Sequence, residues 1–561
     1  MKKNIVMKKI IFLSLITLNG FCFAQKGGGT KADVSTGKPY EVVDAASKQY
    51  LTLTNGNVLA VKTDGIEITL QTFDGTTGDL IKRKTTPALK KGSLLQRIIQ
   101  TKGGIYYLFE MYNSSIKAFE LFSIEIDPES LEMEKPVSLL QTKRKITKGE
   151  LDNEGDYPLN WGSAKTGGME GLIFQGVNFT VYQSYDHSHV MVQYRLKPET
   201  KRDSKSYDEL GFHVFDQSMK ALWGGEYKMP HTEAEMNNIA YTVTSKGLVY
   251  MISYLTSTKE LELITISKDD GVQTHKLEGT DGSLLFNRMR LIEDVDGDVI
   301  CSSFYASGLD FKGTFSGGFT GTLAFMANGV YGFTISPEFG VNHVYNLEFP
   351  QELIKSYLSD RQAKRQDQSE KKGREGIEDL QMIDFFAQAD GSFIVTGEQK
   401  YVRNEMYMTG TTNVAHFGNM IIAKISKAGE LAWITKLPKN QAMVLGDNYN
   451  PFSEGQLSYT YAKSGSNHYL VFVDNEKNAA LGKNEAPAAH KNGLGGYLMA
   501  MKVDDKNGDW ERIKLADLND VGGYKAYQFR VTRICKAAEN TFLMEIYKKE
   551  KEDVMIKFEF D

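Results

Sequence analysis

This 561-residue sequence predicts an all-β fold, a single β-propeller of eight four-stranded blades, on three observations. Its apolar residues recur with a period of two rather than 3.6. A polar turn followed by an apolar strand appears eight times, each copy followed by a second strand–turn–strand unit. The last copy stops before its outermost strand, while an unpartnered extended segment precedes the first. Seven blades is the alternative count.

The first unit appears as Asn55-Gly56-Asn57 before VLAV, Lys102-Gly103-Gly104 before IYYLF, Asp186-His187-Ser188 before HVMVQY and Lys246-Gly247 before LVYMIS. It continues as Asp296-Gly297-Asp298 before VICSSF, Asp390-Gly391 before SFIVTG, Ser464-Gly465-Ser466 before NHYLVFV and Glu539-Asn540 before TFLMEI. Gly, Asn and Asp adopt the backbone angles that tight turns demand, so each cluster marks a hairpin. The second unit runs from LQTFDGTTGDLI (70–81) to LMAMKVDDKNGDW (498–510), and its eighth copy, VMIKFEFD (554–561), ends abruptly. Four-stranded units repeated around an axis hide most strand edges. Closing the ring requires the segment Pro39-Tyr40-Glu41-Val42-Val43 to supply the missing strand of the last blade. The propeller is therefore expected over 39–561, after a flexible Gly-rich lead at 25–38.

Residues 1–24 read as a secretory signal peptide: Lys2, Lys3, Lys8 and Lys9, the apolar run IIFLSLITL (10–18), then Cys22-Phe23-Ala24 with cleavage after Ala24. The run is about half the roughly 20 residues a spanning helix needs, so no transmembrane segment is expected in the mature chain. Export across the inner membrane is the expected fate of the chain. Cys301 and Cys535 then remain, and because they sit in strands of distant repeats they are expected as buried free thiols.

Charge excludes one class of partner. With 66 Lys+Arg against 71 Asp+Glu the net charge is -5, and nucleic-acid binding is not expected because phosphate neutralisation needs a basic surface.

In an antiparallel four-stranded blade, the first-to-second and third-to-fourth turns share one face of the disc. All the short turns above are of that kind. The long insertions, 139–176, 305–330, 346–379, 398–420 and 474–496, all belong to the other face. Loops on a rigid scaffold commonly build binding surfaces. Composition strengthens the expectation, with Phe311, Phe315, Phe319 and Phe325 in a Gly-rich, almost uncharged stretch and Tyr401, Met406, Tyr407, Met408 and Phe417 in another. These nine residues are the expected partner contacts. The charged stretch 351–376 is expected to be a short helix running into a mobile linker.

Catalytic chemistry is not found. Asp294, Asp296 and Asp298 alternate as in a calcium loop, but Val299 occupies the place where that loop requires Gly, so a hairpin turn is expected. His187 and His189 have a metal-compatible spacing without a third ligand nearby. No catalytic residue, metal or cofactor is assigned.

The signal peptide ending Phe23-Ala24-Gln25, and blade endings such as KAGELAWITKLPKNQ (427–441) after DGSFIVTGEQ (390–399), resemble the large exported propeller proteins of bacteria that use type IX secretion. Residues 455–561 are fully used by the seventh and eighth repeats, leaving no room for the C-terminal sorting domain of that system's cargo. The resemblance thus implies a periplasmic subunit that docks on, or plugs, an outer-membrane β-barrel or secretion translocon. A non-enzymatic protein-interaction propeller is the leading expectation. The alternative is a carbohydrate-active or other hydrolytic enzyme with paired carboxylates at the central channel mouth.

Overall fold

The computed structural model describes residues 33–147, 178–198, 200, 202–306, 308–314, 320–407, 410–444, 457–482, 484–491 and 495–560. Residues 1–24, the expected signal peptide, and most of the 139–176 insertion lie outside them.

Eight antiparallel blades follow in sequence: 47–86, 94–142, 146–232, 236–276, 285–348, 380–437, 460–517, and 528–559 completed by 33–41. Each polar turn identified from sequence leads into a blade's second strand, from Val58–Asp64 in blade 1 to Thr541–Lys549 in blade 8. The blade count is fixed by packing. Eight separate apolar clusters fill the interior, one at every seam between neighbouring blades, including the seam from blade 8 back to blade 1. Strands buried on both faces explain this, since residues such as Val58 to Val61 or Val471 to Val473 send side chains alternately into the two adjacent seams.

First strands of neighbouring blades touch one another and ring the axis, whereas fourth strands such as Leu80–Thr86 lie exposed at the rim. Several first strands carry a bulge, between Leu95 and Arg97, Asn238 and Ala240, Asn287 and Arg290, and Met382 and Phe385. Such bulges bend a strand and re-aim its side chains.

The N-terminal strand does close the ring, but it begins earlier than expected. Asp33–Thr36 pairs with the last strand from Glu559 to Ile556, and Tyr40–Glu41 pairs with Asp553 and Glu552. Part of the stretch expected to be a flexible lead is therefore ordered sheet. At Gly37 the segment crosses blade 1 so closely that a Cβ would lie 2.4 Å from the carbonyl oxygen of Gly78.

Cys301 and Cys535 are buried free thiols. Asp294 anchors a hairpin turn, its carboxylate accepting from the backbone N–H of Asp296 (2.9 Å) and Asp298 (3.0 Å). Among the described residues no helix is long and apolar enough to cross a membrane, and no group of three His, Cys, Asp or Glu is placed to hold a metal ion.

Candidate functional site

Strand order puts the long insertions on the face that carries the second-to-third and blade-to-blade connections. Three of them, from the blade 5–6 link, blade 6 and blade 7, surround one groove of about 630 Å³.

Its first wall is helical. Residues 351–376 were expected to run from a short helix into a mobile linker, but they form two helices, α1 (Gln351–Lys355) and α2 (Asp360–Glu370). The linker reading fails because Ser359 and Gln362 form a reciprocal capping box that starts α2. Ile354 anchors α1 in the seam between blades 5 and 6, and Lys355 donates to Glu370 at 2.7 Å, tying the helices together.

The floor comes from blade 6. Its middle strands, Phe393–Tyr407 and Gly410–Ile425, run on past the blade as one long hairpin instead of a loop. Period-two alternation places Gln399, Tyr401, Arg403 and Glu405 along the groove, with Val414 and His416 beside them. The Tyr401 ring stacks on His416 at 4.9 Å between centroids, and the Arg403 guanidinium lies 4.4 Å from the same ring. Arg403 pairs with Glu378, and His416 Nε2 lies 2.9 Å from Glu405 Oε1. Burial pushes the Tyr401 hydroxyl up to about 12 and lowers His416 despite the pull of Glu405.

Two lysines lie under the groove. Lys436 Nζ donates to the carbonyls of Leu353 (3.2 Å), Ile354 (3.0 Å) and Ser356 (2.9 Å), holding the end of α1, and burial lowers it to about 7. Lys439 pairs with Glu398 at 2.5 Å and donates to Gln441 at 2.9 Å; burial lowers it against the pull of that carboxylate. The last wall is the blade 7 insertion, where Asn440 donates to Pro487 and Gln441 pairs in parallel with His490. Exposed Arg365 and Lys491 stand at the rim. The floor's charged groups are thus engaged with one another, an arrangement suited to holding a ligand against a fixed surface.

The partner contacts expected from sequence are scattered. Phe325 and Phe417 are corrections: Phe325 is 4% exposed in the seam beneath α1, and Phe417 is 2% exposed in a small cluster with Ala415, Met443 and Leu457. Each follows its strand's inward face, so neither is available to a partner. Tyr401 lines the groove. Phe311 belongs to the strand Leu309–Thr314, and Met406 and Tyr407 to the end of the blade 6 hairpin. Phe315, Phe319 and Met408 lie outside the described residues. Arg365, Glu378, Arg403, His416 and Lys491 were missed. Only the alternation from Gln399 to Glu405 hinted at them.

No family model matches the chain, and no curated protein matches it. Solved structures similar to it include the polysaccharide lyase Uly1 (TM-score 0.38, 9% identity, covering 96% of this chain and 94% of that one). Others are the β-propeller domain of the Trilobed protease from Pyrococcus furiosus (0.32, 11%, 86% and 99%) and the WD40 domain of SCAP from fission yeast (0.33, 8%, 94% and 98%). Similarity this distant says nothing about activity, and the eight-bladed ring rests on its own strand pairing.

Proposed function

We propose that this chain is an exported, non-enzymatic interaction propeller that binds a protein partner through its decorated face. One observation carries the reading: insertions from three separate places in the chain build a single groove on one face, while the turns of the opposite face stay short. The signal-peptide pattern of residues 1–24 and the resemblance to propellers of type IX secreting bacteria support a periplasmic setting. The partner in this reading is an outer-membrane β-barrel or a translocon that it docks on or plugs.

The test is purification of the tagged native chain from gently solubilised envelopes, beside the rim variant Arg365→Glu/Lys491→Glu. A stoichiometric envelope protein that the variant loses supports the reading. Recovery of the propeller alone, or a partner indifferent to the variant, overturns it.

A further inference from the structure

The floor of the groove is a sheet ladder whose register decides what can lie on it. Tyr401 stands opposite His416, His416 opposite Ala442, and Ala442 beside Lys491 of the blade 7 insertion, so these four form one row across the strands. Arg403, Val414 and Val444 form the next row. Paired residues share a face of the sheet, and all seven line the groove. Both rows pass from polar or aromatic side chains on the blade 6 hairpin to small aliphatic ones. Val444 is 45% exposed, so apolar surface stays open in the groove, and Pro487 adds to it from the last wall.

Charge around the groove is left unbalanced. Both acids of the lining are engaged, Glu378 with Arg403 and Glu405 with His416, while Lys436 is held by carbonyls and Lys439 by Glu398. Arg365 on the helical wall and Lys491 on the last wall are exposed, and neither makes an ion pair or a hydrogen bond with any described residue. Two unopposed cations thus face one groove in a chain whose net charge is -5.

We propose that the groove takes an extended acidic segment of a protein partner, with apolar side chains on Val444 and Pro487 and carboxylates on Arg365 and Lys491. This inference rests on the groove being the partner site. Three strand spacings of about 4.8 Å make the row from Tyr401 to Lys491 about 14 Å long, and an extended chain rises about 3.3 Å per residue, so four or five residues cross the floor. The same residues as a helix would rise only about 7 Å. Because the two cations stand on different walls, the acids belong at the two ends of the segment with apolar residues between them. A guanidinium or ammonium group meeting a carboxylate gives a charge-assisted contact, and complementary charge of this kind selects the partner. A polyuronate would also offer carboxylates, but it has no apolar side chains for Val444 and Pro487.

The experiment titrates the purified chain, by calorimetry, with acetyl-Gly-Glu-Val-Ala-Val-Glu-Gly-amide, with the same residues rearranged so that the glutamates are adjacent, with a version carrying glutamine for both glutamates, and with sodium alginate. Saturable one-to-one binding of the first peptide is expected, weakening as salt rises. The glutamine version should bind about tenfold or more weaker, having lost both charge-assisted contacts. The rearranged peptide should fall between the two. Arg365→Glu/Lys491→Glu should lose the first peptide by about tenfold or more, whereas Lys491→Arg, which keeps the charge, should bind like the parent. Absence of binding by the first peptide, or equal affinity for it and its glutamine version, overturns the inference. Alginate binding as tightly as the first peptide at equal carboxylate concentration also overturns it, in favour of a polysaccharide. An envelope partner that still depends on the rim would leave the groove reading standing after either failure. A partner indifferent to the rim overturns that reading and this inference with it.

Discussion

Blade 8 meets its two neighbours through opposite chemistry. Along Thr541–Lys549, Phe542, Met544 and Ile546 face blade 7, where they join Val554, Ile556 and Phe558 in a large apolar cluster. The alternate residues Leu543 and Glu545 face blade 1, where the apolar cluster is smaller and includes Tyr40 from the closing strand. There Lys62, with a fully buried side chain, pairs with Glu545, while Lys48 reaches Glu545 at 2.8 Å and Asp553 at 3.5 Å. The Tyr40 hydroxyl donates to Glu545 at 2.7 Å. Apolar contact is non-directional and tolerates small slides. Hydrogen-bonded charges have one good arrangement, and here they stand at the seam where the two ends of the ring must meet in register.

That contrast yields predictions of graded size. Phe558→Ala on the apolar side should destabilise the chain by about 3–5 kcal/mol, read by denaturant unfolding. On the charged side, Lys62→Met leaves Glu545 and Asp553 short of one buried cation and should cost a similar amount, about 3–5 kcal/mol. Lys62→Met/Glu545→Met should recover much of that loss, since it removes both charges, and strict additivity of the two single changes would refute the coupling.

The pH profile sharpens the comparison. Burial acts to raise Glu545, but the Lys62 and Lys48 ammonium groups outweigh it and bring the carboxyl down to about 2. Its stabilisation is therefore complete above its unfolded value and is lost as pH falls from there through about 2. Burial, together with the Glu545 charge, pushes Asp553 up to about 6, so its sign is reversed: protonation between about 6 and its unfolded value favours the folded state. Thermal midpoints should hold or rise slightly as pH falls from 7 towards the unfolded carboxylate range and then drop. Glu545→Gln should remove most of that acid drop, and Phe558→Ala should leave the shape of the profile unchanged. The smallest effect belongs to the groove rim, where Arg365→Glu/Lys491→Glu should change stability by only about 0.5 kcal/mol while removing the proposed partner.

Much of the ring was legible because strand alternation and turn residues are local. Asn55-Gly56-Asn57 and Asp390-Gly391 mark hairpins wherever the rest of the chain lies. Helix α2 was not, since DRQAKRQDQSE has no apolar stripe and only Ser359 and Gln362 announce its start. Phe325 and Phe417 were misread for a related reason: composition says that a ring seeks burial, but the register that decides which way it points is set by the strand beside it. The groove and the charged seam between blades 8 and 1 were invisible for want of proximity. Glu378 and Arg403 are 25 residues apart, and Lys62 and Glu545 are 483 apart.

Because Asp33 pairs directly with Glu559, the two ends of the described chain stand about 5 Å apart on one strand edge. The ring thus has no structurally privileged starting point. A short peptide joining 560 to 33, with the chain reopened at the exposed hairpin 268–271, should give the same eight blades in a new order. Pulling the original ends apart would open the clasp one backbone pair at a time instead of shearing the whole strand at once.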